Sequence, residues 1–330
     1  MNKIELNNLY GDKVNIELVD NIEDANFITH NGTFHADEVM SLCILINVFG
    51  NDIKLFRTTK LDKTDEAFIF DMGGGSFDHH GKDFNKMREN GVKYASCGLI
   101  WKEFGKTILS NLGVRDIDNA FDYIDNDLIC DIDRYDNGQT ISIDAPYSVK
   151  NVSDLIDLFN PDFDELDKEK EYFLKAVLFA NIIFSKEMKK CLSLEKSKVI
   201  IDKKINESTD DFIELDYHMD WKNLVLSSGE EKADNIKYAI LPSNRGGYNV
   251  VATPLRKDSF ELRKPLPSSW GGKSKEELFE LTGIDTLYFC HKNLFLCACD
   301  TREDALKIVN LALLNKEYDS ESNKQFVKKT

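Results

Sequence analysis

Short apolar runs that alternate with a helical pattern constrain the first half of this chain more than any other feature. Ala25–Thr29 (ANFIT), Ile53–Arg57 (IKLFR) and Ala67–Phe70 (AFIF) have the length of buried strands. Between the first two, apolar residues recur at helical spacing from Ala36 to Phe49, and Gly50-Asn51 supplies the stop. Strands separated by helices need crossover connections, so the expected fold class is α/β with a largely parallel sheet. Further helices are expected from Ser96 to Phe104, closed by Gly105, and from about Asp116 to Ile129.

A stretch without Pro or Gly, roughly 165–205, then reads as one long helix. It divides the chain into an expected N-terminal domain (1–160), a linking helix (161–208) and a smaller α+β C-terminal domain (209–330). In the last part, strands are expected at Phe212–Leu215, Lys237–Leu241 and Tyr248–Thr253, and a helix near Lys275–Leu281. Leu287–Cys290 and Leu294–Cys297 flank Lys292-Asn293 as a hairpin, and Arg302–Leu314 closes the chain as a helix.

The chemistry gathers at strand ends, where open α/β sheets bind their ligands. ANFIT runs into His30 and AFIF runs into Asp71. His30, His35 and Asp37, three ligand-type side chains in eight residues, occupy a Gly-containing turn that enters a helix. Taken singly each has a plain structural reading: Asp37 and Glu38 suit a helix N-terminus, and Asp71 before three glycines suits a turn. Convergence outweighs those readings, because four of the six histidines lie between residues 30 and 80. Nitrogen and oxygen donors without thiolate suit Mn²⁺, with Mg²⁺, Zn²⁺ or Co²⁺ as alternatives. The donors outnumber the needs of one ion, which points to two divalent metals that activate a hydroxide and clamp phosphoryl oxygens.

Composition bounds the partners. Asp and Glu outnumber Lys and Arg by 58 to 42, a net charge of −16, which disfavours a protein that coats duplex nucleic acid with a broad basic face. No run approaches the ~20 apolar residues of a membrane span. The N-terminal MNKIELNNLYGDKVNIELVD is too acidic and polar for a signal or transit peptide, and the seven cysteines form no repeated CxxC pair. A cytoplasmic address is the expectation.

HNGTFHADE (30–38), DMGG (71–74), DHH (78–80), SCGLIWKEFG (96–105) and DIDRYDNG (131–138) resemble, in that order, the metal motifs of the DHH phosphoesterase superfamily. The resemblance is greatest to its melanocyte-proliferating-gene branch of metal-dependent hydrolases and exonucleases. It extends through SFELRKPLP, WGG, ELTGI, FCHKNLF and TREDAL in the second domain. It implies a DHH-type catalytic domain in which His30, His35, Asp37, Asp71, His79 and Asp136 hold the metals, with Asp71 as the bridge. His80 would contact substrate or move a proton, and Asp78 would fix a histidine tautomer. Asp133 competes with Asp136, and Glu38 is a further ligand or supporting group.

Substrate contacts are expected from Ser96 and Gly98, whose helix start would let N–H groups approach a phosphate, or would simply pack closely. Between Arg245 and Lys275 lie seven basic and two acidic residues, a local exception in an acidic chain. Arg256, Arg263, Trp270, Gly271, Gly272 and Lys273 are therefore candidate substrate residues, with Trp270 stacking on a base or buried in a core. The resemblance adds His291. Relatives of this branch carry arginines around the Trp-Gly turn, where this chain reads Trp-Gly-Gly-Lys-Ser-Lys. Cys290, Cys297 and Cys299 read as small core residues.

The expected activity is a metal-dependent 3′–5′ exonuclease on short single-stranded RNA or DNA, free of membranes and open to oligomerisation. The alternatives are hydrolysis of a small phosphate (pyrophosphate, a nucleotide or a cyclic dinucleotide) and a non-catalytic metal-binding regulator.

Overall fold

The computed structural model describes residues 2–50, 52–61, 66–139 and 146–317. The chain divides into two compact units, Met1–Ser193 and Leu194–Thr330. The division falls inside one continuous helix, so each unit owns a part of it.

The first unit is built on a five-stranded sheet in the order β1-β2-β4-β3-β5. The strands are β1 (Lys3–Asn7), β2 (Lys13–Leu18), β3 (Phe27–His30), β4 (Asp52–Thr58) and β5 (Phe68–Ile69). Only β1 and β2 pair antiparallel, and the other neighbours run parallel. The first hairpin was not expected. Val14, Ile16 and Leu18 of β2 are buried in strict alternation, yet the polar residues between them mask the pattern. β3, α1 (Ala36–Phe49) and β4 form the crossover unit expected from the sequence. Nearly all of α1 is buried, including Asp37 and Glu38.

Two helix expectations change. α2 runs Ser96–Asn111, straight through Gly105. That glycine does not stop the helix: a Cβ there would lie 2.7 Å from the Trp101 ring, which packs over it. The segment expected as one helix to Ile129 comprises α3 (Ile117–Ile124) and a π-turn (Asp125–Ile129), and α4 (Cys130–Asp136) continues directly from it. Such single π-turns are frequent at functional sites. α5 (Val152–Asp157) follows.

The long helix α6 covers Glu169–Glu207, beginning later than expected because residues 161–168 hold only a 3₁₀ turn. Phe173, Leu174, Val177, Ala180 and Phe184 of α6 join the first unit's core. Ile201 and Ile205 join a core of the second unit.

The second unit has a sheet in the order β6-β7-β8-β10-β9, with only β6 and β7 parallel. Its strands are β6 (Phe212–Glu214), β7 (Tyr238–Pro242), β8 (Tyr248–Ala252), β9 (Leu287–Cys290) and β10 (Leu296–Cys299). Helix α7 (Lys222–Leu226) adds Val225 to the core of Ile201 and Ile205, and helices α8 (Lys275–Thr282) and α9 (Arg302–Leu314) contribute Leu278, Ala305 and Ile308 to a core with Tyr238, Val250 and Cys299. β10 starts two residues later than expected because Leu294 takes a left-handed φ of 61° in the hairpin turn. Cys290, Cys297 and Cys299 are all buried among apolar neighbours, as their core reading requires. No helix of the described residues is long and apolar enough to cross a membrane.

Candidate metal centre

His30 ends β3, and the turn after it delivers His35 to the start of α1. There the His35 N–H donates to Glu38 at 2.9 Å, closing a capping box. Asp71 follows β5, the neighbour of β3, so both side chains emerge at one edge of the sheet. Asp71 holds a left-handed φ of 56°, uncommon for a residue with a Cβ, and its N–H donates to Phe77 O at 2.9 Å. Backbone strain of this kind persists where surrounding structure enforces it, often at functional sites.

The side chains converge. His30 Nε2 lies 3.2 Å from Asp71 Oδ2 and 3.0 Å from Glu38 Oε1. His79 Nδ1 lies 3.4 Å from Asp71 Oδ1 and 3.8 Å from Asp37, while its Nε2 is 2.9 Å from Asp136 Oδ2. A cavity of about 250 Å³ opens on His35, Asp37, His79, His80 and Asp136. His30, His35 and Glu38 form one cluster with metal-ligand spacing, Asp37, His79 and Asp136 another, and Asp71, Asp78, His79 and His80 a third.

The electrostatics of this edge are unbalanced. Burial pushes the Asp37 carboxyl well up, and the charges of Asp71, Asp136 and Asp133 add to the effect against the Cys97 N–H. Burial alone would lower His30, yet Asp71 and Glu38 carry it up to about 10. His79 is also raised, burial opposing and Asp136 and Asp71 prevailing. Asp71 Oδ1 and His79 Nδ1 are buried and lack a hydrogen-bond partner. Native interiors satisfy nearly all such atoms. Crowded carboxylates, imidazoles and orphaned donor atoms are the chemistry of a divalent-cation site, and the residues fit one.

Asp78 serves its own neighbours. It accepts from the Gly74 N–H at 2.7 Å and the His80 N–H at 2.9 Å, and its Oδ1 lies 2.8 Å from His80 Nδ1. Burial would raise its carboxyl, but these donors hold it below the ordinary value. The His80 ring, 59% exposed, is thereby oriented at the cavity wall.

The start of α2 is occupied from within. Ser96 and Cys97 N–H groups donate to Asp37 at 3.0 and 2.6 Å, and Gly98 N–H donates to Asp133 at 2.9 Å. A Cβ on Gly98 would stand 1.8 Å from Asp133 Oδ2. These amides bind the protein's own carboxylates, which is the close-packing side of the expectation for Ser96 and Gly98. Arg88 Nη1 bonds Asp133 at 2.7 Å and its other nitrogens bond Asp125. Asp133 is committed to this buried pair, whereas Asp136, one helical turn on, faces His79.

Sequence reasoning missed Arg57 and Arg88. Arg57, next to last in β4 and opposite Thr29, donates Nε to His30 O at 3.1 Å and Nη2 to Gly32 O at 3.2 Å, and pairs with Glu169. Its strand-end position was the available signal. Arg88 lies in irregular backbone and gave none.

In the second unit, Trp270, Gly271, Gly272 and Arg263 are tied into the fold. Trp270 is 5% exposed in the core of α8, α9 and the sheet, so no ring face is free for a base. Gly271 has no room for a Cβ beside Leu294 and Lys292, and Gly272 N–H donates to Cys290 O at 3.0 Å, which docks the turn on the hairpin. Arg263 bonds Ala233 O and Ile236 O, and Lys273 pairs with Glu277 at 2.7 Å. Arg256 stays exposed beside Glu261 at 3.4 Å. His291 Nδ1 accepts from the Asn293 N–H at 3.1 Å.

Fold and site together define a mixed α/β protein whose parallel strands end in a histidine–carboxylate centre able to hold metal. Residues 26–313 match the model of the uncharacterised protein family UPF0160, the MYG1 exonuclease family, and the chain belongs to that family. It is 27% identical to the MYG1 protein of Dictyostelium discoideum, covering 86% of this chain and 95% of that one. It is 28% identical to the MYG1 protein of Chlamydia trachomatis, with the same two coverages. The human protein named MYG1 exonuclease is 24% identical over 88% of this chain and 86% of its own. No solved structure matches the chain.

Proposed function

We propose that this chain is a metal-dependent phosphodiesterase of DHH type, a 3′–5′ exonuclease on short single-stranded RNA or DNA with Mn²⁺ as its preferred ion. One observation carries the reading: Asp71 Oδ1 and His79 Nδ1 are buried, unpartnered and 3.4 Å apart amid excess carboxylate. The name exonuclease on mammalian relatives supports it.

His30, His35, Asp37, Asp71, His79 and Asp136 would hold two divalent ions. Bound there, the ions supply a water nucleophile at neutral pH and charge compensation for a phosphoryl group. The protein's own share is orientation and proton handling. Amides of α2 fix the Asp37 carboxylate, and Arg57 fixes the carbonyl of His30. Asp78 aims His80 at the cavity, where its ring would donate a proton to the departing oxygen.

Hydrolysis of a small phosphate is the second reading, favoured because Arg263 and Lys273 are engaged within the fold. End-labelled oligonucleotides incubated with Mn²⁺ separate the two. A descending product ladder from the 3′ end supports the exonuclease, and release confined to dinucleotides or smaller compounds supports the alternative. Folded protein with no product at any metal concentration overturns both.

A further inference from the structure

The second unit's sheet is covered unequally on one face. Ile201, Ile205, Trp221 and Val225 pack over Ala239 and Leu241 of β7. Farther along that face, register aligns Asn249, Ala298 and Phe289 across β8, β10 and β9. Two cavities of about 470 and 560 Å³ lie here and share His218, Asn249 and Leu296 as lining. Three rings form a row: Phe289 to His291 at 6.2 Å between centroids, then His291 to Phe295 at 4.3 Å. Phe289 is 41% exposed, and Lys222 Nζ lies 5.9 Å from the Phe295 ring. Arg245 is exposed at the other end, and Asp220 is the sole acid among the lining residues.

We propose that this face is a binding platform for single-stranded nucleic acid, separate from the Trp-Gly turn, with Phe289, His291 and Phe295 stacking on bases and Lys222 and Arg245 meeting phosphates. The proposal deepens the nuclease reading and rests on it for the substrate class. Each part of the surface selects for that ligand. Open ring faces, Phe289 exposed and His291 and Phe295 half-buried, stack on any base, which suits a nuclease without sequence preference. A duplex keeps its bases inside and would leave the rings unused. Asn249 on the floor and Asn244 at the rim offer amide hydrogen bonds that a greasy peptide would leave unpaired. Two cations against one acid reverse the balance of a chain with net charge −16.

The test uses the full chain with EDTA, so that binding is read without hydrolysis. A fluorescein-labelled oligothymidylate of roughly ten nucleotides is titrated by anisotropy, a length within the span of one such platform. Phe289→Leu and Phe295→Leu keep apolar bulk and remove stacking; each is expected to weaken binding about tenfold. Arg245→Ala is expected to lower the salt slope by about one. Thermal unfolding of each variant checks the fold. Wild-type affinity in both ring variants overturns the platform, as does binding of an apolar peptide with none of the oligonucleotide. The two readings fail separately. A protein that binds the oligonucleotide but cleaves no phosphodiester with Mn²⁺ keeps the platform and loses the nuclease. One that cleaves it while the ring variants bind normally does the reverse.

Discussion

Turns beside glycines look alike in the sequence of the two units and behave oppositely in the protein. His30-to-Asp37 and Asp71-to-His80 in the first unit bring buried polar groups together and leave two of them unpartnered. Trp270-Gly271-Gly272 in the second unit buries its ring, docks its amide on Cys290 and leaves nothing aimed outward. The difference is one of stored electrostatic free energy. The first unit's turns keep carboxylates and imidazoles crowded in a way that bound cations would relieve, whereas the second unit's turn satisfies its own polar groups. Unbalanced burial marks a site, and balanced burial marks a scaffold.

Asp71→Ala should produce the largest contrast. Removing the carboxylate that lies 3.2 Å from His30 and 3.4 Å from His79 is expected to lower kcat/KM by about three orders of magnitude or more. Unfolding would hold or rise slightly in temperature, because a buried like charge is gone. Circular dichroism melts with a labelled-oligonucleotide assay check both. A variant that keeps wild-type rates places the chemistry elsewhere.

Arg88→Met comes next and acts on stability. It leaves Asp133 buried without its guanidinium and should cost about 3 kcal/mol in urea unfolding. An unchanged midpoint would show that Gly98 N–H alone satisfies the carboxylate. Arg57→Lys keeps a charge but loses the fork on His30 O and Gly32 O. Mn²⁺ affinity by calorimetry is expected to fall roughly tenfold, the scale for groups that orient ligands, with little change in unfolding.

How far the sequence revealed all this depended on local pattern. β3, α1, β4 and β5 were legible because apolar period and Gly50 agree, and His30 and Asp71 because they end strands. The β1–β2 hairpin was hidden by polar residues between Val14, Ile16 and Leu18. Gly105 misled because close packing against Trp101 and a helix stop use the same residue. Arg88 and Asp125 were invisible: their pairing joins an irregular segment to a π-turn, and no periodicity encodes that. The basic strip was legible only in part, since sequence counts charges without showing that carbonyls already hold Arg263.

A gentler effect follows from pH. His30 is raised to about 10 in the metal-free fold against about 6.5 for an exposed imidazole. Its contribution to stability is therefore complete below pH 6.5 and lost as pH rises through 10. Chelated protein should melt progressively lower across that window. Metal binding must expel the same proton, so Mn²⁺ affinity should rise about tenfold per pH unit for each imidazole displaced. Affinity that is flat with pH would remove His30 and His79 from the ligand set.

The smallest effect tests the scaffold side. Arg256 is an exposed cation of the strip, its side chain 74% accessible and beside Glu261 at 3.4 Å. Arg263, seven residues on, is fastened to Ala233 O and Ile236 O. Arg256→Ala should leave unfolding within about 0.5 kcal/mol of wild type. Any loss of oligonucleotide affinity should stay under about tenfold and appear as a change in salt slope of about one, the mark of a single phosphate contact. A larger loss that persists at high salt would mean the strip recognises substrate through shape or hydrogen bonding. The Trp-Gly region would then belong with the first unit's turns, among sites and not scaffolds.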